Sequence, residues 1–362
     1  MAKPLIHKIL FLAAIVLVIC VLLDLILPFC WGDKTQYTKL QYYKANKEKY
    51  NAIYFGGSLE YRHIDPAVID SVAQKNGLDL RSFNFGIDGH VFINELNDID
   101  KILDIPNPSL KYIFVSVSSE AYFFPFNRHT SKWLCWQNIP TFFRATRLLA
   151  TRAEDPLAYR MRYMYYYGTS LVENTSKLGL MPDIMEYWRT RNDIDSAYLG
   201  QKRDGFFPYD YEEQHNFMEY KWEDTMLMAS KHDWETNALK RDSLTHAVTA
   251  SFVNYKSTDE PNAAMVNMLK NLMEKCSKKG IDVYFVLPCK VRGDYSFLLP
   301  VFNALPESRR IALGDIREFP DFYTIANGYN YYHLNYKGAQ LYSKAFGQKI
   351  VDLFKRNAAV AQ

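Results

Sequence analysis

A short apolar run, a turn of small residues and then a helix recur along this chain, and that rhythm restricts the fold more than any other feature. Asn51-Ala52-Ile53-Tyr54-Phe55 is stopped by Gly56-Gly57 and reads as a buried strand. Asp65 then Pro66 start a helix through Ala67 to Lys75, because Asp accepts from free N–H groups and Pro is preset for the first turn. Ser82-Phe83-Asn84-Phe85 is strand-like and ends at Gly86 and Gly89, Asn94 to Leu103 can be helical, and Tyr112 to Val117 is a third strand. Strands alternating with helices imply a parallel sheet between helical layers, so an α/β fold with a three-layer parallel sheet is expected.

The far end repeats the pattern. Met265, Met268, Leu269, Leu272, Met273 and Cys276 recur at helical spacing and read as core, Ile281 to Leu287 is a strand, and a last helix runs from about Tyr336 to Lys355. Between the halves, residues 125–249 lack the rhythm and are rich in Trp, Tyr, Arg and Met, which predicts a large, aromatic-rich, mostly helical insertion. Its segments Tyr163 to Gly168 and Gly205 to Asp210 either line a groove for a glycan or lipid or pack against the main domain. The expected division is an anchor over 1–31, a polar stalk over 32–50, and an α/β domain in two parts, 51–124 and 250–362.

Ile9 to Leu23 is uninterruptedly apolar and Leu25 to Trp31 extends it past Asp24, long enough to span a bilayer as one transmembrane helix. Lys3, His7 and Lys8 precede it, no small-residue cleavage site follows, and bulky Ile19 and Phe29 stand before Cys20 and Cys30 where a lipidation motif wants a small residue. The reading is an uncleaved single-pass signal anchor in the cytoplasmic membrane with the body outside the cytoplasm, since long following domains cross largely regardless of flanking charge. Asp24 is expected to reach the interface or a partner helix. Over 362 residues, 43 basic and 40 acidic side chains leave +3, which argues against nucleic acid as partner. The five cysteines show neither metal-ligand nor redox spacing, and no metal or cofactor is expected.

Ser58, just after the first strand and Gly56-Gly57, is expected at the carboxyl edge of the sheet, where open α/β folds place ligands. His333, within Tyr332 to Ala339 and ahead of the final helix, can reach the same edge. With Gly86-Ile87-Asp88-Gly89 they make a nucleophile, a donor loop and a base. A second set, His63 and Asp65, is read instead as a loop residue and a helix cap.

These three places resemble the SGNH or GDSL-like hydrolases, and among them the membrane-anchored members that work on acylation of cell-envelope polymers. Phe55 to Pro66 resembles the family's first block, Phe83 to Gly89 its second and Tyr332 to Ala339 its last. The resemblance implies an SGNH/flavodoxin-like sheet, Ser58 as nucleophile, His333 as base and the N–H groups of Ser58 and Gly89 as oxyanion donors. It further implies an extracytoplasmic O-acyl, in particular acetyl, esterase or transferase acting on an envelope polysaccharide, with a multi-span membrane acyltransferase as possible partner. The family's acid stands three residues before the His, where this chain has Asn330; a carbonyl-oriented dyad or a role for Asp315 or Asp321 is left open. Where the family has Gly-x-Asn-Asp this chain reads Val117-Ser118-Ser119-Glu120, so Ser118 or Ser119 is a candidate for the Asn role. The alternative is a catalytically impaired glycan-binding or scaffold protein of the same fold, whose function would depend on insert aromatics such as Trp188 and Tyr209 rather than on Ser58.

Overall fold

The computed structural model describes residues 2–118, 128–152, 155–177, 179–192, 196–215, 221–292 and 295–361. Five short strands, β1 (Ala52–Phe55), β2 (Ser82–Asn84), β3 (Tyr112–Ser116), β4 (Asp282–Leu287) and β5 (Arg310–Ala312), form one parallel sheet in the order β2-β1-β3-β4-β5. The first four fall where the apolar runs predict them. β5 gives no such signal, because it is a three-residue edge strand opened by Arg310.

The register explains the two-sided apolar pattern. Tyr54, Phe114 and Tyr284 stand opposite one another on β1, β3 and β4 and stack in sequence, at 5.0 and 5.4 Å between ring centroids, beneath Phe346 of the helix Tyr336–Ala361. Ile53, Ile113 and Val283, one residue earlier, face the other way and are buried too. From β1 the chain goes to β2 on one side and reaches β3 on the other. The crevice at the carboxyl ends of β1 and β3 is therefore a topological switch point. Ser58 opens the helix Ser58–His63 three residues beyond β1.

The chain divides into two units, one of residues 1–38 and 122–195 and one, with the sheet, of 39–121 and 196–362. The stretch 125–249 is helical among its described residues, yet it is split between the units. The reason lies at the sheet edge, where Asn84 N–H donates to the Asp204 carbonyl at 2.8 Å and so satisfies an otherwise open position of β2.

In place of a stalk, residues 34–46 form a helix, and Lys39 and Tyr43 on it are fully buried. Lys39 Nζ donates to the carbonyls of Asn84, Gly86 and Gly205 at 3.1, 2.7 and 2.8 Å and lies 3.8 Å over the Tyr61 ring, which compensates its burial.

In the other unit the helix Ala2–Ile26 contains the 22-residue stretch Leu5–Ile26, whose most apolar 18 residues have a mean hydropathy of 3.3, long and apolar enough to cross a membrane. Asp24 pairs with Lys177 at 2.6 Å, a counter-charge from within the chain, and the Cys20 thiol donates to the Ser176 carbonyl at 3.2 Å. Trp133 and Trp136 donate to Ser170 and Gln36 at 3.1 and 2.9 Å, which satisfies two buried indoles. All five cysteines are buried, and none is in a disulfide among the described residues.

Candidate active site

The turn after β1 can only be tight if its residues are small. A Cβ on Gly57 would stand 2.8 Å from the His90 carbonyl oxygen, so the loop Ile87–His90 lies directly against the residue before Ser58. Ile87 N–H donates to the Gly56 carbonyl at 3.1 Å, and Asn84 joins the loop to the Ser58 helix by donating to the Glu60 and Ile64 carbonyls at 2.7 and 2.8 Å while accepting from Gly86 N–H at 2.8 Å. Gly89 has φ +75°, a left-handed conformation that favours glycine, and it is exposed. Among the described residues neither the Ser58 nor the Gly89 amide N–H has an acceptor in the chain.

From 275 residues away in sequence, His333 brings Nε2 to 2.9 Å from Ser58 Oγ. Its Nδ1 is 3.1 Å from Asn330 Oδ1. That oxygen already accepts the backbone N–H groups of Tyr332 and His333, each at 2.9 Å, so it faces the ring as an acceptor and Nδ1 carries the proton. Nε2 is then left with its lone pair toward the serine hydroxyl, the tautomer a general base requires. Asn330 thus holds the ring orientation; what it lacks is the charge to stabilise an imidazolium. Burial, with Arg62 and Lys290 adding and Asp88 opposing, pushes the His333 pKa down to about 3.

Neither of the two acids held in reserve takes the place of Asn330 on Nδ1. Asp315 is engaged by Arg317 at 2.6 Å, and the backbone carbonyl of Asp321 accepts from Asn327 Nδ2 at 2.9 Å. Asp65 caps its helix through Ala67 N–H at 3.1 Å and is bound by Lys202 and Gln340. His63 closes the Ser58 helix, fully buried, and its Nε2 accepts Leu334 N–H at 2.9 Å. Burial holds it neutral, with a pKa well below the ordinary histidine value, so it fastens the segment carrying His333 to the segment carrying Ser58. Ser118, two residues past β3, is buried, and its hydroxyl has no hydrogen-bond partner among the described residues. Ser119 and Glu120 lie outside the described residues.

A charged and aromatic cluster adjoins the histidine; Asp88 and Tyr209 in it were named from the sequence, while Arg62 and Glu212 were given no role. Arg62, fully buried, pairs with Asp88 of the Gly89 loop and with Glu212 of the helix Tyr209–His215, and donates to the Phe207 carbonyl at 2.9 Å. Its guanidinium lies 3.9 Å over the Tyr209 ring, and Tyr209 in turn meets the His333 ring edge-on at 4.8 Å. Two sequence signals were available: Arg62 stands four residues after Ser58, on the same face of its helix, and Asp88 directly precedes Gly89. Nothing local pointed to Glu212. Of the two insert aromatics weighed from sequence, Tyr209 adjoins His333, while Trp188 lies in the other unit against Tyr187.

Below the serine, Glu60 is buried with its carboxyl pKa raised to about 7 by desolvation, against a hydrogen bond from Ser116 and the charge of Lys290. No group of three or more His, Cys, Asp or Glu among the described residues could hold a metal ion. No protein-family model matches the sequence, and no curated protein matches it.

Proposed function

We propose that this chain is a membrane-anchored, extracytoplasmic SGNH-like serine O-acyl esterase or transferase that passes an acyl group, of which acetyl is the leading candidate, onto or off an envelope glycan. The observation that carries the proposal is the continuous path Ser58 Oγ to His333 Nε2 to Asn330 Oδ1, at 2.9 and 3.1 Å, standing at the switch point of a parallel sheet. A binding module has no physical need for a base in contact with a hydroxyl at that address.

In this reading Ser58 Oγ attacks the acyl carbonyl carbon while its proton passes to His333 Nε2. The carbonyl oxygen becomes an oxyanion, received by the N–H groups of Ser58 and Gly89. Collapse of the tetrahedral species breaks the carbon–oxygen bond to the leaving alcohol, which takes the proton from His333 and leaves the acyl group on Ser58. Water then yields hydrolysis, or a glycan hydroxyl yields transfer, with His333 removing the proton of the attacking oxygen. Asn330 holds the tautomer through both halves, and the Asp88–Arg62 pair holds the Gly89 loop. Because burial keeps His333 neutral well into the acid range, its Nε2 lone pair is open to the serine proton throughout neutral pH, as a weak base.

The test is covalent labelling of the full chain with a fluorophosphonate, read by intact mass, beside Ser58→Ala and His333→Ala. Label on the parent chain, lost in both variants, is the expected result. A folded parent chain that takes no label refutes the enzyme and favours the glycan-binding scaffold, whose function would then fail on removal of Tyr209 and not of Ser58.

A further inference from the structure

In the unit that holds the N-terminal span, two packed helices turn apolar side chains to solvent. On the helix Leu157–Ser176, Leu157, Met161, Tyr165 and Val172 recur at helical spacing, opposite the buried Tyr163, Tyr167 and Ser170. Ile139 and Phe143 stand one turn apart on the neighbouring helix Ile139–Ala150. All six are 56–67% exposed. In the sheet unit the exposed large aliphatic residues, such as Leu239 and Ile325, are dispersed, as is ordinary for a surface. Apolar faces left exposed on two packed helices mark a surface that is covered in use.

The spanning helix indicates what covers it. Cys20 and Asp24, near its carboxyl end, are bonded to Ser176 and Lys177, at the end of the same helix that carries the apolar face. When Leu5–Ile26 crosses a bilayer, those contacts hold the carboxyl end of the helix Leu157–Ser176 beside the end of the span. The charge on the two helices fits: Arg144, Arg147, Arg160 and Arg162 stand on them against Glu173 alone. Arginine stems and a tyrosine beside an apolar stripe suit the headgroup layer, where the charges reach lipid phosphates while the apolar chains enter the acyl boundary.

We propose that this face, centred on Phe143, Met161 and Tyr165, lies in the surface of an anionic bilayer beside the span, giving the protein a second membrane contact. The unit is then held against the membrane in a fixed orientation instead of swinging from its anchor.

The full chain in nanodiscs of phosphatidylcholine and phosphatidylglycerol tests this, with a nitrobenzoxadiazole label on Phe143→Cys or Met161→Cys and on Leu239→Cys as the solvent reference. The five native thiols are buried, and the unsubstituted chain reports their background. The expected result is blue-shifted emission at 143 and 161, severalfold stronger quenching there than at 239 by lipid spin-labelled near the headgroup, and protection from iodide. Iodide quenching equal to that at 239 overturns the proposal. Protection from iodide without quenching by lipid overturns it as well, since a protein surface would then be the cover.

Discussion

Replacing Asn330 with Asp changes one amide into a carboxylate while keeping the three N–H contacts that Oδ1 receives, and so isolates the effect of charge on His333. At ~4 Å and an effective dielectric constant of ~20, opposite unit charges interact by ~4 kcal/mol, equivalent to ~3 pKa units. His333 is only partly screened from solvent and Arg62 is near, so about 2 units is the reasonable expectation after screening. The imidazole pKa should then rise from about 3 in the parent to roughly 5 in the variant. A stronger base should speed serine activation by on the order of tenfold on the neutral plateau. The rate of fluorophosphonate labelling across the acid and neutral range, read by intact mass, follows both effects. The parent should stay flat as pH falls to roughly 4, and Asn330→Asp should label faster at neutral pH but lose rate through a midpoint near 5. Superimposed profiles from the two folded proteins would refute the reasoning, because His333 would then not be the base or Asn330 not its orienting group.

Arg62→Met leaves Asp88 and Glu212 as carboxylates without their shared cation, and should cost about 3–5 kcal/mol in denaturant unfolding, with partial recovery when Asp88→Asn is added. Equal losses in the single and double variants would show that the guanidinium acts through packing alone. Glu60 titrates near 7 in the folded chain, above its ordinary value of 4.5, because burial disfavours its charge. The folded state therefore binds more protons between those values, so the stability from this group is present in full below about 4.5 and lost as pH rises through about 7. Glu60→Gln should accordingly be more stable than the parent by up to about 3 kcal/mol at pH ~8 and lose that margin toward pH ~4.5. Parallel stability curves for the two proteins across that range would contradict the assignment.

Much of the fold was legible because local patterns follow from local sterics. The runs at Ala52–Phe55, Tyr112–Ser116 and Asp282–Leu287 are apolar on both faces because both faces of the sheet are covered, and a period of two with no polar half is visible without coordinates. Ser58 and His333 were legible for a related reason, since each follows a recognisable turn at the edge of a strand–helix unit. β5 escaped because three residues with a leading Arg carry no period. Residues 32–50 read as a stalk because a lysine in sequence looks solvated, and only the three carbonyls around Lys39 Nζ explain its burial.

The sequence by itself determined a parallel α/β sheet, a helix able to span a membrane, and the placing of Ser58, Gly89 and His333 at elements that could converge on one edge. Backbone sterics and hydrophobic period act over a few residues, and a few residues suffice to show them. Tertiary structure alone decided that Asn330 turns its oxygen to Nδ1, that Arg62 finds Asp88 on one side and Glu212 on the other, and that the central helical stretch is divided between two units. Those outcomes rest on the compensation of buried charges and dipoles, and the compensating groups come from parts of the chain that meet only once it has folded.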